Sequence, residues 1–362
     1  MNKIIYLDSA ATTPLCESAK KVIVEHIDNY YNVNSLYDPA KKLRIKVEAA
    51  RESIAEMIGA KSADEIYFTS GGSEANSWLT GQRDTAKSNI EHSSVTGVSL
   101  IKSNNDGIID TNCIKRALNS GRIYLFDTVS VMHVNNELGT INPIKDAVQL
   151  VNERKLLVHS DAVQSVGHLH INVQDIGLDM MSASGHKFNA PKGVGFAYIK
   201  NGNKMPPMIY GGSQERSIRG GTTNAVGILA MEAALKESII YMDERNAYTK
   251  ALRDKLLDSL LDVQGVKLNG SYGNRVVSNI NVCIDGVNAQ DMVAECNEYG
   301  ILISAGSACH EGSAKPSHVL KAIGLSDKEA NSSVRLTLSH FNTIEEIDYC
   351  CKVLPNIIKT LR

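Results

Sequence analysis

Short apolar, β-branched runs alternate with amphipathic stretches along much of the chain, and this alternation constrains the fold more than any other feature. Glu65–Thr69, Tyr124–His133, Lys155–His159, Met180–Ala183 and Gly195–Ile199 read as strands. Glu48–Met57 and Ile144–Glu153 read as helices between them. Strands that alternate with helices predict a mostly parallel central sheet covered by helices on both faces. Ala225 to Leu261 carries a long helical pattern without proline, which fits one helix or a bent pair crossing between domains. Val276–Asp285 and Ser332–Leu338 then read as strands, with Asn288–Glu298 as a helix between them. The expected fold is therefore α/β, with a large domain over 14–240. A smaller C-terminal α/β domain is expected from 1–13 and 241–362.

The 362 residues are 43% apolar and 22% charged, enough to bury a core without disulfides or metal. A net charge of −2 gives no electrostatic reason to expect direct nucleic-acid binding, although it leaves room for local basic patches. The start lacks the basic and apolar regions of a signal peptide. No apolar run approaches the roughly 18 residues of a membrane span. A cytoplasmic protein is expected. Seven dispersed cysteines without a CxxC pair argue against a disulfide framework and a zinc site, so no metal is expected.

Five segments carry chemistry. Ser70-Gly71-Gly72-Ser73-Glu74 is a Gly-rich turn between a strand and a helix. It suits a phosphate or is an ordinary turn with a serine cap. Asp161, just after an apolar strand, sits where open α/β sheets bind ligands. A buried carboxylate there needs a pyridinium nitrogen, a structural arginine or a helix cap as partner. Lys187 in Ser184-Gly185-His186-Lys187 is either a desolvated Schiff-base lysine or a lysine at a strand end. Cys309 lies among small residues, Ser304 to Gly312, as a mobile thiol or a buried loop cysteine; the glycines with His310 and Glu311 weigh against burial. Arg335, inside an alternating strand, needs an anion, either a substrate carboxylate or a structural carboxylate.

Together these segments resemble the cysteine desulfurase family, within the class V aminotransferases of pyridoxal-phosphate (PLP) fold type I. The resemblance runs nearly end to end, through Tyr6–Thr13, Phe68–Asn76, Glu91-His92, Val129–Gly139, Asp161–Gln164, Ser184–Lys187, Arg219–Thr222 and Ser304–Leu320. It implies that Lys187 holds PLP and shuttles the substrate's Cα proton. Asp161 would pair with the pyridinium nitrogen, and His92 would stack on the ring and serve acid–base steps. Gln164 and Asn136 would bond the ring oxygen or the substrate. Gly72, Ser73, Ser184 and His186 would hold the phosphate, with Thr222 reaching it from a second subunit of a homodimer. Arg335 would clamp the carboxylate of L-cysteine, with Asn34 also on the substrate side. Cys309 would take the sulfur as a persulfide, release alanine, and pass the sulfur to a protein acceptor, a scaffold or a thiolation enzyme.

Four segments depart from the family pattern. Ser9 replaces an asparagine, Asn32–Tyr37 replaces a GNPSS-type run, Asn189-Ala190 replaces Tyr-Gly, and Ser339-His340 stands where Gly-Arg is frequent. The chain also ends soon after its last helical stretch, which favours a dedicated acceptor over an iron–sulfur scaffold.

Overall fold

The structure, a computed structural model, describes residues 4–121, 125–305 and 316–362. Strand β1 (Ile5–Tyr6) opens the chain. The large sheet follows, with β2 (Ile66–Thr69), β3 (Thr85–Ser88), β4 (Val98–Ile101), β5 (Thr128–Ser130), β6 (Leu157–Asp161), β7 (Met180–Ser184) and β8 (Gly195–Ile199). Their spatial order is β2-β8-β7-β6-β5-β3-β4. Pairs β4–β3–β5–β6–β7 are parallel, and only β8 runs against its neighbours. Strands β5, β7 and β8 are buried along their whole length, as a sheet covered on both faces requires.

Of the apolar run 124–133, the described part, 125–133, forms a shorter strand than the run suggests. Strand β5 ends at Ser130, yet Val131, Met132 and Val134 stay buried in the loop beyond the sheet edge. A buried loop and a buried strand have the same apolar signature.

The helical stretch from Ala225 is a bent pair, Ala225–Ile240 and Met242–Leu261, broken at Tyr241. The first of the two packs against helices Glu17–His26 and Asp38–Met57. A second, antiparallel sheet follows, built from β9 (Val266–Leu268), β10 (Asn279–Ile284), β12 (Ser304–Ala305) and β13 (Ser333–Thr337) in the order β12-β13-β10-β9. Strand β11 (Ile301–Leu302) pairs in parallel with β1, so the first residues of the chain join its last third. Strand β10 begins three residues later than its pattern suggests, because Arg275 bridges to Thr140 and Val276 donates to the Gly139 carbonyl. That contact ties the second sheet to the loop after β5. The final helix, Ile344–Leu361, is fixed at its start by a capping box between Thr343 and Glu346. Among the described residues, no helix is long and apolar enough to cross a membrane.

Candidate active site

Loops at the carboxyl edge of the parallel strands line a cavity of 680 Å³. Gly72, Ser73, His92, Asn136, Asp161, Gln164, Ser184, His186, Lys187 and Arg335 all reach it, although they come from segments far apart in sequence. Asn34 and Thr222 are exposed and do not line it. Cys309 lies outside the described residues.

At one end, β2 runs into the Ser70-Gly71 turn and the helix Gly72–Gly81. A Cβ at Gly72 would come within 2.5 Å of Val163 Cγ2, and Gly71 has φ +153. Glycine is needed for the backbone to lie this close to the loop after β6. The turn also receives Ser184, from the end of β7, and Lys192. Burial pushes the His186 imidazole down to about 4, helped by the charges of Lys187 and Lys192, so it is neutral at pH 7. Its Nδ1 lies 3.1 Å from Thr12 Oγ1.

In the middle, Asp161 ends β6 and is 1% exposed. Its Oδ2 accepts from Asn76 Nδ2 at 2.7 Å, and its Oδ1 accepts from the Val163 amide at 3.0 Å. Among the described residues no lysine, arginine or histidine forms an ion pair with it. A buried carboxylate held only by neutral donors suits a cationic ring nitrogen. Asn76 also donates to Ser94 Oγ at 3.0 Å, and Ser94 Oγ lies 2.7 Å from His92 Nδ1. The Ser94 amide donates to that same Nδ1 at 3.2 Å, which leaves the ring proton on Nε2. One asparagine amide thus fixes both the carboxylate and, through Ser94, the imidazole. Asn76 lies in the Phe68–Asn76 motif, and its place in that motif is the signal the sequence holds for it; its buried position on the helix after the glycines emerges only in the structure.

Lys187 follows β7 in a single 3₁₀ turn, Gly185–Lys187. Its Nζ donates to the carbonyls of Ala10 (2.6 Å) and Ala11 (2.7 Å), so it points inward and is not a solvated strand-end lysine. Gln164 Nε2 donates to the same Ala10 carbonyl at 3.0 Å.

Opposite stands Arg335, on β13 and 3% exposed. Its Nη2 donates to Asp8 Oδ1 at 2.7 Å and its Nη1 to the Asn136 carbonyl at 2.9 Å. Its Nε is buried without a partner. The structural carboxylate left open by the sequence therefore exists, and one guanidinium edge still has an unused donor. Asp8 lies in the Tyr6–Thr13 motif, and no local pattern marks it as the partner of Arg335.

The donor set fits a phosphorylated pyridine cofactor: a glycine turn with Lys192 at one end, a buried carboxylate in the middle, and an amine and a guanidinium beside them.

Residues 5–350 match the family described as aminotransferase class-V. The chain belongs to that family. A cysteine desulfurase IscS from Dictyoglomus turgidum is 37% identical over 384 residues, covering 100% of this chain and 96% of the relative. A cysteine desulfurase IscS from Clostridium botulinum is 38% identical over 386 residues, with the same coverage. Among solved structures, a NifS-like protein superposes with a TM-score of 0.90 at 29% identity, covering 99% of this chain and 100% of that one. A structure described as SspA in complex with cysteine gives a TM-score of 0.79 at 30% identity, covering 93% and 99%.

Proposed function

We infer that this protein is a cysteine desulfurase, which takes sulfur from L-cysteine as a persulfide on Cys309 and releases alanine. The observation that carries the reading is the meeting of Lys187, Asp161, His92 and Arg335 in one cavity of a chain whose full-length relatives are cysteine desulfurases.

Lys187 would hold PLP through its amine and carry the proton taken from the substrate's Cα. Gly72, Ser73, Ser184 and His186 would hold the phosphate, Asp161 would pair with the ring nitrogen, His92 would stack on the ring and serve acid–base steps, and Gln164 and Asn136 would bond the ring oxygen or the substrate. When bound, PLP supplies an electron sink conjugated to the substrate's amino group. Arg335, held in place by Asp8 and the Asn136 carbonyl, clamps the substrate carboxylate. The Cys309 thiolate attacks the substrate's sulfur; a sulfur–sulfur bond forms as the carbon–sulfur bond breaks, the electron pair of that bond stays on the substrate's Cβ, and protonation there gives alanine. The six other cysteines do not line the cavity, and burial pushes the Cys296 and Cys350 thiols up to about 12.

Thr222 and Asn34 act in the cavity of a second copy, Thr222 on the phosphate and Asn34 on the substrate side. Exposed Val24, Ile27, Tyr30, Leu36, Tyr37 and Ile45 give such a homodimer an apolar contact surface. The sulfur then passes to a protein acceptor.

The test is Cys309→Ala. The variant is expected to keep the yellow of bound PLP and to lose sulfide release from L-cysteine with a thiol present. Normal desulfuration by this variant refutes the persulfide role.

A further inference from the structure

A second cavity, of 260 Å³, lies behind the first and shares Ala10, Asn136 and Gln164 with it. Its walls come from both halves of the molecule: the loop after β5, the turn after β6, the helix Met242–Leu261, and the segments that flank β10 and β13. Its lining contains two arginines, Arg245 and Arg275, and two histidines, His168 and His340, but no aspartate or glutamate. Arg245 is already paired, donating to Glu237 at 2.5 Å.

Arg275 is not. It is 5% exposed and donates only to neutral oxygens, those of Ser271, Asn269 and Asn279. Those bonds use three of the five guanidinium N–H groups. Burial, helped by the like charge of Arg253, pushes Arg275 down to about 9, and Arg253 is itself paired with Asp254 at 2.8 Å. A buried cation that meets no anion is a costly arrangement. A separate observation points to the same space. Ser9 lines this cavity, is 9% exposed, and its buried hydroxyl has no hydrogen-bond partner. Burial also leaves the two histidines neutral at pH 7, His340 at about 4, so they offer hydrogen bonds rather than added charge.

We propose that this cavity is a binding site for a small anion, an inorganic oxyanion or a compact carboxylate, held by Arg275 and Ser9 between the two halves of the molecule. The anion supplies the missing counter-charge. The site also touches the catalytic cavity: His168 Nε2 donates to the Lys187 carbonyl at 2.9 Å, and Ser9 adjoins the Ala10 and Ala11 carbonyls that hold the Lys187 amine.

Two measurements on the PLP-loaded protein test this. In a crystal soaked in bromide, an anomalous peak is expected at hydrogen-bond distance from Arg275; an empty cavity overturns the proposal. In solution, sulfate and acetate at matched ionic strength distinguish oxyanion from carboxylate. The preferred anion should raise the Tm of the parent protein by about 2–4 °C more than that of Arg275→Met. Ser9→Ala should lose part of that excess, and Arg335→Met should keep it, which separates this site from the substrate clamp. Equal increments in parent and Arg275→Met overturn the proposal. If Arg275→Met does not fold, the soak and Ser9→Ala still decide.

Discussion

The two walls of the catalytic cavity are built differently. On the sheet wall, each functional residue follows the end of a strand by a few positions: Gly72 after β2, His92 after β3, Asp161 at the end of β6, Lys187 after β7. On the facing wall, Arg335 sits inside β13 and takes its carboxylate from Asp8, 327 positions away. The first wall comes from local strand-to-loop connections, and the second from docking the first residues of the chain onto the last sheet. The cavity is polar on both walls, but under the proposed function only the sheet wall carries proton-transfer groups, Lys187 and His92. The facing wall carries the Arg335 charge, fixed by Asp8, which that reading assigns to binding and orientation.

The largest effect should come from the sheet wall. Lys187→Ala is expected to lower alanine formation from L-cysteine by about 10³-fold or more, since it removes the proton carrier. The fold should persist, because Gln164 still donates to the Ala10 carbonyl; far-UV circular dichroism and Tm check this. Turnover within tenfold of the parent would break the division of labour between the walls.

Arg335→Met should act on binding instead. Losing a charged hydrogen-bonded clamp lowers kcat/KM for L-cysteine by about 10–100-fold, mostly through KM. It also strands Asp8, whose carboxylate is largely buried, so Tm falls as well. A fall in Tm with KM unchanged would make Arg335 a structural bridge and nothing more.

The same contrast explains what could be read from the chain. Strand-to-loop punctuation marks the sheet wall, so Gly72, Asp161 and Lys187 are legible, and the structure brings them together. Arg335 is legible as a residue in need of an anion but not as a partner of Asp8, since no local pattern records a pairing over that distance. Asn76 was visible only as part of a motif, because its work is done by one amide reaching two groups on other loops. The second cavity has no local signature: its walls meet only when both halves have packed. Ser9, Asn189, Ser339 and His340, four residues at departures from the family pattern, all line it. The fold class was clear from the alternation of strand and helix. The length of β5 was not, because burial continues past its end.

The smallest effect concerns a carboxyl just behind the sheet wall. Glu91 precedes His92 and is 3% exposed. Its Oε1 accepts from Ser88 Oγ and the Met132 amide, both at 2.6 Å, while Oε2 is buried without a partner. Burial pushes it from 4.5 up to about 7, against the Ser88 bond and with the charge of Asp161 adding to the rise. Its folded pKa is raised, so between about 4.5 and about 7 the folded protein keeps a proton that the unfolded chain has released. The contribution of Glu91 to stability is therefore greatest at the acid end of that window and is lost as pH rises through it. Across that window, the stability of the parent relative to Glu91→Gln should decline by on the order of 2–3 kcal/mol. Denaturant titrations of both proteins at pH 5, 6, 7 and 8 measure the difference. A difference that stays flat with pH would mean that Glu91 is ionised throughout. The sheet wall would then hold two buried negative charges, Glu91 and Asp161, and its balance against the facing wall would have to be redrawn.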